Sequence, residues 1–597
     1  MIIDGFDLNF YLKNYPKAIK FYKTNGIEGL KKFHYLNKEK YYKTYDEYVL
    51  AQNNIQTIDN NNFKISITSV LILLLTYNRP QKCINVIKDI LNQTYTNYKL
   101  LVIDDGSLHD NFIELSNFIK NENNTNITLL KNEVNKKIPA TINIGIKYFL
   151  DNNYDYFTWI SDDNVYYKNF IELMIDDNYD FISSSYDLFI DDINKQIKQN
   201  NNYSSPYNII NKFEGLASFM WSKKAIETIG FFNENLYRCE DFDYNIRTFL
   251  MIDNIKFVDQ STMKYIDHND SLYSKEYLYI NRLSRDIKFI YNKLLINTKL
   301  FIYFSKNSWN LLFQRPHQIC RFMNNKYLKI FISCDNILKY EEQYNLLIIS
   351  YKYRNIITNL FNYEKYDEKI IYYTDPRLFD EINNYSNKCK ILFDLIDAPI
   401  NEFIVWKPNL ENAVNNADVV MYSHPKLVKF LNEINPEKEY HYVSNGCDYE
   451  HFSKAKERIY PKPNDIPVTN NSILGYYGAF SEWLDYDLIR KYADEGEYHI
   501  LMIGGITNNP SYNRRFEHPN ITWLNHKNYN ELPIYLSWFD KCLIPFKECE
   551  LTKYVNPCKL WEYMASDKEI IKHGININSN KLITYLESCN YLENIIK

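Results

Sequence analysis

The 597-residue chain has no excess of positive charge: 69 Lys and Arg stand against 74 Asp and Glu, a net charge of −5. That balance removes the general electrostatic reason to bind nucleic acid or an anionic membrane. Long apolar runs are also missing. The most apolar stretch, Val70 to Leu75, falls far short of the ~20 residues that cross a bilayer. The opening MIIDGFDLNF carries acids where a secretory leader has bases followed by an apolar segment. The ten cysteines include no C-x-x-C pair, which argues against a zinc ribbon or a compact disulfide scaffold and for reduced, mostly buried thiols. Glycine is scarce at 14, whereas Tyr numbers 55 and Asn, Lys and Ile are abundant. This looks like an AT-rich coding bias, so no single Tyr or Asn is a functional signal, and the sequons at Asn92 and Asn126 arise by chance. What is present is 45% hydrophobic residues, enough for sizeable cores. The length suits roughly three to five domains. The expectation is a soluble cytoplasmic protein without a transmembrane segment, with peripheral membrane association left open.

Residues 1–60 read as helical, with Tyr11, Tyr15, Phe21 and Tyr22 near helical spacing, and Gln56 to Asn62 reads as a linker. The texture then changes. Ile65 to Leu75 predicts a buried strand, stopped by Pro80 in Thr76-Tyr77-Asn78-Arg79-Pro80. A helix over Cys83 to Leu91, a strand over Tyr98 to Ile103, a helix over Asn111 to Lys120 and a strand over Ile127 to Leu130 follow. Alternation of this kind means a parallel sheet with crossover helices, whose ligands sit beyond the C-terminal strand ends. A second α/β series starts near Leu300, with strands expected at Leu300 to Phe304, Leu346 to Ser350, Ile370 to Tyr373, Ile391 to Asp394 and Val419 to Tyr422, and a helix through Phe313 to Met323. The proline-rich segment Tyr460 to Asn471 reads as a linker before strands at Ile473 to Gly478 and His499 to Gly505.

Three acidic clusters are expected at strand ends: Asp104-Asp105, Asp162-Asp163, and Glu240-Asp241 with Asp243 two residues on; His268 follows. Neighbouring carboxylates repel, so each pair needs either a solvated surface or a cation. One cluster alone suggests the surface; three in sequence suggest a site. For Glu240 and Asp241 the plain alternative is an exposed helix start, where acids suit the helix dipole.

These residues carry a resemblance. LLTYNRPQKCINVIKDILNQTYTNYKLLVIDDGS resembles the opening of family 2 glycosyltransferases with the GT-A fold. YDYFTWISDDNVYYKNFIELM resembles their acidic metal-binding segment, and GFFNENLYRCEDFDYNIR their acceptor-side segment. The resemblance covers about residues 67–290 in the family's order. It implies that Thr76, Tyr77, Asp105 and Asp162 bind a nucleotide-sugar donor, Tyr77 stacking on the base and Asp105 accepting from it. It implies that Asp163, with His268, ligates Mn²⁺ or Mg²⁺, and that Asp241, with Glu240 as understudy, is the general base of an inverting transfer. Many relatives carry Asp-x-Asp at the metal segment, where this chain has Ser161-Asp162-Asp163.

The second half resembles a GT-B glycosyltransferase of the family 4 group. SWNLLFQRPHQICRF, LFDLIDAPINEFIVW, NNADVVMYSHPKLVKFL and YVSNGCDYEHF match its first lobe, and GYYGAFSEWLDYDLI with the run ending KLWEYMAS its nucleotide-binding lobe. By that resemblance Glu562 binds the donor ribose, Asn556 and Lys559 flank the phosphates, and Gly478 permits close backbone approach; no cofactor is implied for this half. No Arg or Lys directly follows Gly478, and Asp567-Lys568-Glu569 replaces the usual small turn. The start of the chain resembles a small helical module found beside bacterial-type glycosyltransferases.

The resulting fold class is α/β: a helical module over 1–62, a GT-A domain over 63–295, and a GT-B unit with lobes at 296–465 and 466–597, the last one short. The expected partners are a nucleotide-sugar, UDP-linked, and a glycan, glycolipid or glycoprotein acceptor. The alternatives are a chain in which only the GT-A unit is active, and a non-catalytic glycan-binding protein.

Overall fold

The structure is a computed structural model that describes residues 2–3, 6–7, 68–190, 195–199, 210, 216–267, 272–305, 307–310, 313–506, 513–577 and 581–597. The chain forms two compact units, residues 1–67 and 68–597. In the first, β1 (Ile2–Ile3) pairs antiparallel with β2 (Phe6–Asp7). The helices expected over residues 1–60 and the linker at 56–62 lie outside the described residues.

The second unit opens with β3 (Val70–Thr76), α1 (Pro80–Leu91), β4 (Tyr98–Asp104), α2 (His109–Glu122), β5 (Ile127–Lys131), α3 (Ile138–Asp151) and β6 (Tyr156–Ser161). Val70 to Leu74 are fully buried, since helices cover both faces of a parallel strand. Pro80 does not stop the strand: β3 ends at Thr76, and Pro80 is a first-turn residue of α1, where its fixed φ suits a helix and its missing N–H costs nothing. On α3, Gly145 lets the helix approach the sheet, since a Cβ there would lie 2.4 Å from Leu73 Cδ2.

The sheet continues through β7 (Val165–Tyr166), β8 (Phe181–Ile190), β9 (Lys195–Gln199), β10 (Phe219–Ser222) and β11 (Ile255–Asp267). The strand order is β5-β4-β3-β6-β10-β8-β11-β7, with β9 on β8. β3 is parallel to both β4 and β6, so the chain order reverses between β3 and β6. Such a switch point opens a crevice beyond the strand ends. Helix α4 (Glu240–Met251) precedes β11, and the long α5 (Leu272–Leu295) leads into the next sheet. Ile287, Ile290, Tyr291 and Leu294 of α5 share one core with residues of both sheets.

The second sheet holds β12 (Lys299–Tyr303), β13 (Leu328–Ser333), β14 (Leu338–Glu341), β15 (Leu346–Ser350), β16 (Glu368–Tyr373), β17 (Lys390–Leu395), β18 (Val419–Tyr422) and β19 (Tyr440–Tyr442), in the order β14-β15-β13-β12-β16-β17-β18-β19. Only β14 runs antiparallel to its neighbour in this sheet. The third is wholly parallel: β20 (Ser472–Tyr477), β21 (Tyr498–Ile503), β22 (Ile521–Leu524), β23 (Lys541–Pro545) and β24 (Glu569–His573), ordered β22-β21-β20-β23-β24. Helix α6 (Cys558–Ala565) follows β23. The last helix, α7 (Tyr585–Ile596), returns to the second sheet, where Tyr585, Cys589, Leu592 and Ile596 join Phe301, Ile319 and Phe331. No helix among the described residues is long and apolar enough to cross a membrane.

Candidate active site

The switch point of the first sheet brings Thr76 and Asp162 together. The Thr76 hydroxyl, at the end of β3, donates to Asp162 Oδ2 at 2.8 Å, just beyond β6. Between them the chain makes a strained turn, with Asn78 at φ 55°. That turn is pinned from the β4–α2 loop: Asn78 N–H donates to Ser107 Oγ at 2.7 Å, and Leu108 N–H donates to Asn78 Oδ1 at 2.8 Å. The turn leaves the Tyr77 ring 45% exposed, free to meet a flat ligand. It also directs Arg79 across the crevice. One guanidinium nitrogen lies 2.8 Å from Asp162 Oδ1, and the other donates to Asp163 Oδ2 at 3.1 Å. Burial pushes the Asp162 carboxyl up to about 6, against the pull of Arg79 and Thr76. Burial acts on Asp163 too, but the Ser161 hydroxyl bond and Arg79 outweigh it and hold that carboxyl below its ordinary range.

Asp105 is buried and already engaged. Its Oδ1 accepts from Asn132 Nδ2 at 2.7 Å and Lys136 N–H at 2.9 Å, and its Oδ2 from Lys137 N–H at 3.0 Å. Three bonds to a carboxylate leave room for one further donor. The clamp holds a loop in which Lys137 adopts φ 76°. Asp104, fully buried, accepts from Ser107 N–H at 2.9 Å.

Glu240 and Asp241 do not end a strand as expected; they begin a helix, α4, and not an exposed one, since Glu240 is 7% exposed. Arg238 N–H donates to Glu240 Oε2 at 2.8 Å and Phe242 N–H to Asp241 Oδ1 at 2.7 Å. Burial raises the pKa of both carboxyls, and for Glu240 the Asp241 charge adds to it. Asp243 has a different role. It points into the core, where Tyr291 of α5 donates to its Oδ1 at 2.6 Å and Arg247 to its Oδ2 at 3.0 and 3.1 Å. Tyr265 on β11 has its hydroxyl pKa raised, by desolvation first and then by the charges of Asp163, Asp267 and Asp241.

His268 lies outside the described residues. Among the described residues no three His, Cys, Asp or Glu side chains cluster as a metal cage. The Asp162–Asp163 pair nonetheless suits a hard cation. Two carboxylates stand side by side, and the buried Asp162 Oδ1 has no aligned hydrogen bond despite its Arg79 contact.

In the third sheet the order reverses between β20 and β23, and Gly478, Lys559 and Glu562 meet there. Gly478 has φ 143°, and a Cβ on it would lie 2.8 Å from Lys559 Nζ. Burial pushes Lys559 down to about 8, against the opposing effect of Glu562. Burial pushes Glu562 up to about 7, despite the Tyr477 hydroxyl and Lys559. Asn556 is occupied elsewhere. Its Nδ2 donates to the Ser423 carbonyl at 2.8 Å and Ser444 Oγ at 3.1 Å, and its Oδ1 accepts from Trp561 Nε1 at 2.9 Å. It ties the second sheet's loops to α6.

Residues 71–244 match the glycosyl transferase family 2 model. Three relatives add to this. A protein of Bacillus subtilis named as a teichuronic acid biosynthesis glycosyltransferase, TuaH, is 27% identical over 161 residues, 26% of this chain and 39% of the relative. An uncharacterized glycosyltransferase of Rickettsia felis is 32% identical over 123 residues, 20% of this chain and 19% of the relative. A protein of Escherichia coli named as a colanic acid biosynthesis glycosyl transferase, WcaA, is 24% identical over 220 residues, 34% of this chain and 74% of the relative. The chain thus spans less than half of the first relative's length. Together these support a GT-A-type domain over the family 2 segment.

The family 2 segment also contains residues that sequence reasoning passed over. Arg79 stood in the Thr76–Pro80 turn without a role, and Arg238 stood two residues before Glu240 without one. Arg238 has φ 91°, pairs with Glu276 at 2.8 and 2.9 Å, and lies 3.7 Å from the centre of the Tyr237 ring. The one signal available was a basic residue beside a functional motif, which says nothing of its partner.

Proposed function

We propose that the family 2 segment transfers a sugar from a nucleotide-sugar, UDP-linked, to a hydroxyl of a glycan, glycolipid or glycoprotein acceptor, with inversion. The observation that carries this reading is the convergence of Thr76, Asp162 and Asp163 at the β3/β6 switch point, where the Thr76 hydroxyl donates to Asp162 at 2.8 Å. Tyr77 stacks on the base, and Asp105 spends its remaining acceptor site on it while fixing the Lys136–Lys137 loop. Asp162 and Asp163, with His268, hold Mn²⁺ or Mg²⁺, which when bound offsets charge on the diphosphate. Asp241 accepts the proton of the acceptor hydroxyl as that oxygen bonds to the anomeric carbon and the bond to the diphosphate oxygen breaks.

The second and third sheets fit a two-lobed GT-B unit, read here with lobes at 296–465 and 466–597. Lys559 and Glu562 face a donor at the β20/β23 switch point, beside the close approach at Gly478. One observation favours a chain in which only the family 2 segment is active: the Asn556 side chain is spent on joining the two sheets. The test is nucleotide release from a panel of UDP- and GDP-sugars with acceptor candidates, with and without Mn²⁺. Release lost in Asp163→Ala and kept in Glu562→Ala localises the chemistry to the family 2 segment. The reverse result assigns it to the second half, and no release from any donor refutes both.

A further inference from the structure

The Asp162–Asp163 pair is not bare. Arg79 reaches it from the β3–α1 turn and contacts both carboxylates, at 2.8 and 3.1 Å. Asp162 is wholly buried, while Arg79 remains 42% exposed. The guanidinium therefore caps the pair from the solvent side, the side from which an ion would enter. Its contact with Asp162 Oδ1 lacks hydrogen-bond alignment, so this buried oxygen gains charge from it but no directed bond. A planar fork matches one carboxylate well and two adjacent ones poorly. Lys82 acts on both carboxylates from further out and is itself exposed.

We propose that Arg79 is the resident countercation of the Asp162–Asp163 pair and competes directly with the divalent ion for it. The proposal rests on reading the pair as the metal site. With Arg79 in place an arriving ion meets a net charge of about −1 rather than −2, and it has to displace the guanidinium to reach Asp162 Oδ1. The half-exposed position makes that displacement feasible, because the guanidinium is rehydrated as it leaves. Arg79 therefore holds the two carboxylates in place while no ion is bound, and weakens ion binding in return.

The sign of the effect separates this role from a structural one. A residue that merely braces the loop would lower metal affinity when removed. A competing cation would raise it. The experiment is a Mn²⁺ titration of the full chain without donor, read by loss of the free-ion electron paramagnetic resonance signal, for wild type, Arg79→Gln, Arg79→Lys and Asp163→Asn. Arg79→Gln is expected to bind Mn²⁺ about tenfold more tightly than wild type, a difference of about 1.4 kcal/mol. Arg79→Lys, which keeps the charge but cannot bridge both carboxylates, should fall between them, and it carries the test if Arg79→Gln does not fold. Equal or weaker binding in the Arg79 variants overturns the proposal while leaving the metal site intact. Wild type indistinguishable from Asp163→Asn overturns the metal reading, and the proposal with it.

Discussion

Three acids within one helical turn, Glu240, Asp241 and Asp243, are assigned different work, and substitution separates them. Asp243 and Arg247 are both fully buried and paired at 3.0 Å, with Tyr291 donating to the second carboxylate oxygen. Asp243→Ala would leave a guanidinium in the core without its carboxylate, held by the Ile229 and Phe231 carbonyls and the Tyr244 ring. Removing one partner of a buried pair costs about 3–5 kcal/mol. In a domain of this size each kcal/mol moves Tm by about 2–4 °C, so the expected fall is roughly 6–20 °C. Asp241→Asn removes a helix N-terminal charge worth at most about 1 kcal/mol and relieves a buried repulsion, so Tm should stay put or rise. The assay pairs thermal unfolding with nucleotide release at one pH. Asp241→Asn should abolish release at unchanged Tm, whereas Asp243→Ala should lower Tm first and lose release only through unfolding. An Asp243→Ala protein that keeps its Tm and loses activity would refute the division of labour.

Three further outcomes are expected. Because Asp241 acts in its ionised form and burial raises its pKa, kcat/KM should climb with pH through a range above that of an ordinary Asp; a profile already flat there would contradict its role as base. Glu562, raised from 4.5 to about 7, binds more protons folded than unfolded between those values, so its contribution is favourable below that window and is lost as pH rises through it. Glu562→Gln should therefore raise Tm at pH ~8 and change it little at pH ~4, and a pH-independent difference would be the contrary result. Asn556→Ala frees the Ser423 carbonyl, Ser444 Oγ and Trp561 Nε1, so hydrogen exchange should accelerate over residues 423–424 and 444–446 and leave the first sheet unchanged; uniform protection across all three would count against its joining role.

The central parallel strands were legible because burial on both faces leaves little choice of residue. Leu346 to Ser350 and Val419 to Tyr422 are read to the residue, and Tyr98 to Ile103 falls one short of β4. The outer half of the first sheet was not legible. β8 contains Ser183, Ser184, Ser185 and Asp187, and the buried Ser184 is satisfied by Ser218, just before β10, and by Thr262 of β11, a pairing no local pattern reveals. Pro80 was read as an end of a strand because its effect on the preceding residue and its fitness for a helix start look alike in sequence. Motif carboxylates announced themselves, but their cations did not: Arg79 meets Asp163 across 84 residues, and Arg238 meets Glu276 across 38. Sequence distance of that size hides which charge offsets which.

Adjacent carboxylates pose one electrostatic problem, and the first sheet answers it three ways. Asp104 and Asp105 are satisfied by neutral donors, four N–H groups among them, with no cation in contact. A carboxylate held by neutral donors suits hydrogen bonding to a neutral ligand. Asp162 and Asp163 are capped by a movable guanidinium, the arrangement that suits exchange with another cation. Glu240 and Asp241 receive only single backbone bonds and a helix start, so burial wins and raises both pKa values. The three pairs therefore differ in what each is given as partner, neutral donors, a guanidinium, or backbone bonds at a helix start, and the roles proposed for them follow that difference rather than the order of the motifs along the chain.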